Sequence, residues 1–164
     1  MSSILAPVAE KISSEQCKLI NLSENPSAFF ELLPIDWQES LLPAWDELAP
    51  VSEVMGMVCD EVLIGGGILI SSHSQETDSY SDLAEFYYAS GHLYIGYLWV
   101  AESHRGQNLG AFWLKEVENH FPQNSFWLSI IDPALGAFYE RNGFKLTQAL
   151  DLETGKEWVY VKEN

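Results

Sequence analysis

The 164-residue chain predicts one mixed α/β domain. Three observations carry this. Two pairs of strand-like runs, one in the first half and one at the end, are each joined by a short polar turn, the pattern of antiparallel hairpins. Between them a strand, a helix, a strand and a second helix follow in order, and a strand–helix–strand unit requires a right-handed crossover. A hydrophobic content of 47% over this length supplies a core and excludes a largely disordered chain.

Each element has its own signal. Met1–Ser14 predicts a loose or partly helical arm, and Cys17–Leu22 a short first strand. Asn25-Pro26-Ser27 has the chemistry of a turn that starts a helix, which Ala28–Leu33 continues until Pro34 interrupts. Asp36–Leu48 predicts a second helix, capped by Asp36, with Trp37, Leu41, Trp45 and Leu48 near one face. Pro43 within it predicts a kink or a break. Val54–Cys59 and Val62–Ile70 read as strands around a tight turn at Asp60-Glu61, and Gly65-Gly66-Gly67 predicts a bulge or a close backbone approach. Ser71–Ser81 reads as a polar loop, and Asp82–Ala89 fits a helical turn and an extended insertion equally well.

His92–Val100 is rich in Tyr, Ile, Leu, Trp and Val, which suits a strand. His104–Gly110 has the small and polar residues of a loop that opens a helix, and Leu109, Phe112, Trp113 and Val117 then recur at helical spacing. FWLSII, from Phe126, predicts the next strand. Phe144–Leu150 and Glu157–Lys162 predict the last hairpin, around Glu153-Thr154-Gly155.

The net charge is −16. It argues against nucleic-acid partners, which need Lys and Arg clusters, and against anionic membrane surfaces. Residues 19–104 hold fourteen Asp or Glu and no Lys or Arg, while six of the eight basic residues lie from Arg105 onward. This asymmetry serves either solubility or a field that attracts cations. No apolar run approaches the roughly 20 residues needed to span a bilayer. The N-terminus lacks the basic residues and apolar block of a signal peptide. Cys17 and Cys59 show no metal spacing; they suggest reduced thiols in a cytosol, with one disulfide as the alternative. The expectation is a cytoplasmic protein.

The first turns of the helix after His104–Gly110 carry unpaired N–H groups and partial positive charge, an anion site whose usual guest is phosphate. The loop, Arg105-Gly106-Gln107-Asn108-Leu109-Gly110, resembles the acyl-CoA signature of the GNAT superfamily of N-acetyltransferases: Arg or Gln, two residues, Gly, one residue, then Gly or Ala. Asn108 replaces the middle glycine, and Asn is the residue that best tolerates positive φ after Gly. Downstream, Ala137-Phe138-Tyr139-Glu140-Arg141-Asn142-Gly143-Phe144 resembles the family's FYxxxGF helix exit. The resemblance is specific over residues 92–144.

The resemblance implies a sheet of six or seven mostly antiparallel strands flanked by helices, splayed at the centre where the acyl-CoA arm enters. Residues 1–164 would form one N-acetyltransferase domain, with an acceptor-side half over about 1–91 and an acyl-CoA-binding half over about 92–164. The implied reaction moves an acetyl group from acetyl-CoA to a primary amine of a small cationic molecule or an exposed protein amine. It proceeds by direct attack in a ternary complex, with no metal. A homodimer is compatible with it. The alternative is a catalytically weak acyl-CoA-binding sensor or interaction module.

Roles carry over residue by residue. Backbone N–H groups of Gln107, Asn108, Leu109, Gly110 and Ala111, after Gly106, would hold the phosphates, with Arg105 nearby. Leu98, Trp99 and Val100 would offer main-chain groups to the pantetheine, and the Leu98 N–H would polarise the thioester carbonyl. Phe138 lies beside Tyr139, which stands where the family commonly has a general acid for the leaving thiolate. A Glu is common on the strand before the phosphate loop, but Gly96 occupies that place here. The base is left open among Glu85, His92, Asp132 and ordered water. Asp132 and Leu135 replace a frequent Asn and Ala; an ionised Asp132 accepts hydrogen bonds but donates none, so it would face a pantetheine amide N–H or the acceptor amine. Phe29, Phe30, Trp37, Trp45, Phe86, Tyr87 and Tyr88 are expected mainly in the core, and any that line a cleft would suit an ammonium group.

Overall fold

The computed structural model describes residues 16–164. The arm expected over Met1–Ser14 lies outside the described residues. The sheet is built from β1 (Cys17–Asn21), β2 (Ser52–Cys59), β3 (Val62–Ile70), β4 (His92–Val100), β5 (Ser125–Ile130), β6 (Lys145–Leu152) and β7 (Gly155–Lys162). The helices are α1 (Ser27–Phe30), α2 (Ile35–Leu48), α3 (Ser81–Ala89), α4 (Leu109–His120) and α5 (Gly136–Arg141). The strand order is β1-β2-β3-β4-β5-β7-β6, and every neighbouring pair is antiparallel except β4–β5. The expected mostly antiparallel sheet of six or seven strands is therefore present, with seven.

The hairpin turns are as the residues suggest. Asp60 and Glu61 have φ values of 50° and 67°, the paired left-handed conformations of a type I′ turn. The Gly65–Gly67 run serves close approach. A Cβ on Gly67 would stand 2.7 Å from the Trp113 ring, and one on Gly65 would stand 2.5 Å from the Trp99 carbonyl oxygen. Trp113 thus packs directly against the sheet and donates from Nε1 to the Met55 carbonyl at 3.0 Å.

Several expectations change. The first helix is shorter than predicted, Ser27–Phe30, and α2 begins at Ile35 with Asp36 in its first turn rather than as its cap. α2 runs through Pro43 without a break; the proline is exposed, so the carbonyl it leaves unbonded can meet water. Asp82–Ala89 resolves as helix. The preceding polar segment contains a 3₁₀ turn over Gln75–Tyr80. Phe86 is 63% exposed, against its expected place in the core.

Cys17 and Cys59 are joined in a disulfide, which corrects the expectation of free thiols. They face each other across the β1–β2 ladder, a neighbourhood hidden by their separation of 42 residues. The cysteine argument for a reducing compartment falls with it. No helix among the described residues is long and apolar enough to cross a membrane.

Two apolar layers sandwich the sheet. α4 and α5 cover one face through Leu109, Trp113, Leu114, Val117 and Tyr139. α1, α2 and α3 cover the other, over Tyr94, Trp127, Val159 and Val161. Between these layers the central strands part. β4 and β5 pair only at His92↔Ser125, Leu93↔Phe126 and Tyr94↔Trp127. Beyond Tyr94 and Trp127 they diverge and leave a cleft through the sheet.

Candidate active site

A bulge in β4 shapes one wall of the cleft. The ladder with β3 passes from Ile68↔Gly96 to Gly66↔Trp99, so β4 spends one extra residue there, and Tyr97 takes a φ of 56°. The bulge reassigns the side chains that follow. Leu98 and Val100 pack with the α4/α5 layer, while Tyr97 and Trp99 pack with the opposite layer. Trp37 from α2 meets both rings edge-on, 5.9 Å from Tyr97 and 5.2 Å from Trp99.

The phosphate loop follows directly. Gly106 has a φ of 76°, and Asn108, the residue before α4, sits at φ 60° and ψ 23°. Asn108 therefore takes the left-handed conformation that its amide side chain tolerates. The first helical bond of α4 runs from the Phe112 N–H to the Asn108 carbonyl at 3.0 Å, so the N–H groups before it lie ahead of the helical ladder. A Cβ on Gly110 would come within 3.1 Å of the Phe138 ring, so the missing side chain lets α5 close against the start of α4.

Leu98, Val100, Arg105, Gly106, Asn108, Leu109, Gly110, Phe138 and Tyr139 line one groove at the cleft. Gln107, Asn108 and Ala111 continue into an adjoining groove, where Lys115, Arg141 and Lys162 converge. Three of the chain's eight basic residues thus meet beside the phosphate loop. Lys162 is tied there by Glu118 and donates to the Asn142 carbonyl at 2.9 Å.

Arg105 is held differently from its expected place at the phosphates. Its Nε donates to the Val100 carbonyl at 3.0 Å, and its guanidinium lies 4.2 Å from the centre of the Trp99 ring. It buttresses the loop while lining the groove. Tyr139 is buried among Phe138, Phe144 and Tyr160. Burial disfavours its phenolate and raises its pKa from 10.0 to about 12.

The three side chains weighed as bases stand apart from this groove. His92 is buried at the closed end of the β4–β5 fork, with Nε2 2.9 Å from a Glu163 carboxylate oxygen. The hydrogen bond from His92 lowers the Glu163 pKa. Glu85 is on the solvent face of α3. Asp132 is exposed and accepts from the Ala134 N–H at 2.9 Å, capping the turn Pro133–Leu135. Among the expected aromatics, Phe29, Phe30 and Tyr87 are core, and Trp37 joins the cleft wall.

A polar cluster absent from the sequence reading lies on the other side of the fork. Ser129 Oγ donates to Glu157 Oε1 at 2.7 Å and lies 2.7 Å from the Tyr80 hydroxyl and 3.2 Å from that of Tyr94. One signal for it was available: Glu157 alternates with Val159 and Val161, a carboxylate on an otherwise apolar strand face.

Comparison with known proteins agrees with this geometry. The profile of the Acetyltransferase (GNAT) family matches residues 19–144. The fold is similar to a GNAT family acetyltransferase from Elizabethkingia anophelis with acetyl-CoA bound, at TM-score 0.62 and 14% identity, covering 92% of this chain and 99% of that one. It is also similar to Arabidopsis thaliana Naa50 in complex with the bisubstrate analogue CoA-Ac-MVNAL, at TM-score 0.60 and 16% identity, covering 91% and 99%. A third likeness is a chimera of the spermidine N-acetyltransferase SpeG from Vibrio cholerae and hSSAT, at TM-score 0.61 and 14% identity, covering 90% and 95%. No curated protein sequence matches the chain.

Proposed function

The chain belongs to the GNAT acetyltransferase family, and from that premise we propose that it transfers an acetyl group from acetyl-CoA to a primary amine by direct attack in a ternary complex. The observation that carries this reading is the meeting of three parts at one groove: the splayed β4 edge, the start of α4 and Tyr139. N–H groups of the first turn of α4 hold the pyrophosphate, which the left-handed Asn108 leaves accessible. Lys115 and Arg141 neutralise further phosphate charge. The pantetheine lies along Leu98–Val100, and the Leu98 N–H polarises the thioester carbonyl. Asp132, already capping its own turn, contributes at most an acceptor to the pantetheine amides.

Tyr139 supplies the proton for the departing thiolate. Its raised pKa keeps it a phenol across the physiological range. The acceptor is a cationic amine, from a small molecule or an exposed protein amine. The fourteen acids of residues 19–104 support this by attracting cations to the acceptor side. The likenesses to a spermidine acetyltransferase and to an enzyme holding a CoA–peptide analogue fit both acceptor types. The test is release of CoA thiol from acetyl-CoA across a panel of amines. Turnover on at least one amine is expected. CoA binding with no turnover on any would favour a sensor or interaction module instead.

A further inference from the structure

The β4–β5 fork has two sides, and the reading above uses only one of them. Tyr139 belongs to the α4/α5 layer. Ser129 belongs to the opposite side: it lies two residues past Trp127, the last β5 residue paired to β4, and shares that residue's face of the sheet. Tyr94, the last paired residue of β4, reaches over from the other prong. Its ring packs beside Gly96, 3.5 Å from the point where a Cβ there would stand, an ordinary contact distance. Glu157 projects from β7 on the same face, beside Val159.

The hydrogen-bond inventory orders this cluster. Ser129 has one proton and two lone pairs. Its proton goes to Glu157, so both tyrosine hydroxyls donate to its oxygen. The serine is thereby saturated and fixed. The carboxylate is not: among the described residues its second oxygen, Oε2, takes no hydrogen bond. Ser129 and Glu157 are only partly buried. Tyr80 and Tyr94 are the titratable groups that face Glu157 through Ser129. Lys156 and Asp151 pair with each other at 3.6 Å, and strand alternation points Lys156 to the opposite face.

We infer that Glu157 takes the proton from the acceptor amine, with Ser129, Tyr80 and Tyr94 as its positioning residues. This rests on the acetyl-transfer reading above. An acceptor arriving as R–NH₃⁺ gives one proton to Glu157 Oε2. The freed lone pair forms the C–N bond at the thioester carbonyl. The C–S bond then breaks with its electron pair on sulfur, and the thiolate takes the Tyr139 phenol proton. The second proton lost by the amine nitrogen restores Tyr139 through solvent, and Glu157 releases its own, so one proton is set free per acetyl group moved. Base and acid then act from opposite faces of the sheet.

Glu157→Gln keeps an oxygen for Ser129 and removes the basic site. With an acceptor protonated at pH 7, kcat/KM should fall by roughly 10²–10⁴ while acetyl-CoA affinity by calorimetry stays unchanged. With an amine whose pKa lies below the assay pH, the deficit should shrink, because that amine arrives neutral. Tyr80→Phe leaves the Ser129–Glu157 bond in place and should give a smaller loss with the same dependence on amine pKa; it also serves if Glu157→Gln does not fold. Wild-type kcat/KM in these variants, or a deficit equal for weakly and strongly basic amines, would overturn the inference. Absence of turnover in the wild-type protein would instead retire the acetyl-transfer reading itself.

Discussion

Replacing Tyr139 by Phe isolates the acid step, because the ring keeps its contacts with Phe138, Phe144 and Tyr160 while the hydroxyl is lost. The phenol sits at a pKa of about 12. A departing alkyl thiolate takes a proton at roughly 8.5 by the cysteine reference. Transfer from the phenol to the freed thiolate would then be uphill by about 3.5 units, or about 5 kcal/mol at 1.36 kcal/mol per unit. The phenol is thus a weak acid for this thiolate, and the benefit falls at the low end of the usual range, a loss of about 10² in kcat. Acetyl-CoA affinity should be unchanged. The same shift has a stability signature. A folded-state pKa raised from 10.0 to about 12 gives stability that is fully present below pH 10 and lost as pH rises from 10 toward 12. Two units correspond to about 3 kcal/mol, and Tyr139→Phe should be free of that alkaline loss. The assays are single-turnover thiol release and chemical denaturation between pH 9 and pH 12. Near wild-type turnover on a good acceptor would refute the acid role.

At Gly110, Ala should weaken CoA binding slightly, since its Cβ meets Phe138 at 3.1 Å, whereas Gly110→Glu should abolish it by adding bulk and negative charge at the phosphate site; calorimetric titration of folded variants decides. Reducing the Cys17–Cys59 bridge should lower stability by about 3–4 kcal/mol for a loop of this length, with turnover intact because the bridge lies on β1 and β2; melting with and without reductant checks both. Cationic acceptors should be preferred over amines that carry a carboxylate, and the preference should weaken with salt as the Debye length falls below about 8–10 Å; kcat/KM at two ionic strengths tests it.

The parts of the site that were legible in the sequence are those made within one short segment. The turn at Asp60-Glu61 and the helix after Asn108 each depend on neighbours a few residues away. Asn108 was readable as a left-handed position because the demand is local to its own backbone. What was not legible depends on pairing at long range. Cys17 and Cys59 meet only once β1 and β2 are in register. Arg105 turns to Trp99 and the Val100 carbonyl because the β4 bulge carries that ring to the α1–α3 face of the sheet. Pro43 carries a strong local preference against helix, and the burial of Leu41 and Leu48 on either side of it overrides that preference.

The carboxylate problem has the same origin. Looking for a base near the phosphate loop in sequence directs attention to β4, where Gly96 is empty, and to Glu85, His92 and Asp132, which sit in the same stretch of chain. A splayed sheet does not respect that order. Because β7 inserts between β5 and β6, it brings Glu157 beside Ser129, and the fork brings Tyr94 from β4 to the same oxygen. Four residues between positions 80 and 157 thus become one hydrogen-bonded group. β4, which offers no side chain at Gly96, still contributes through Tyr94, whose hydroxyl orients the serine that holds the carboxylate.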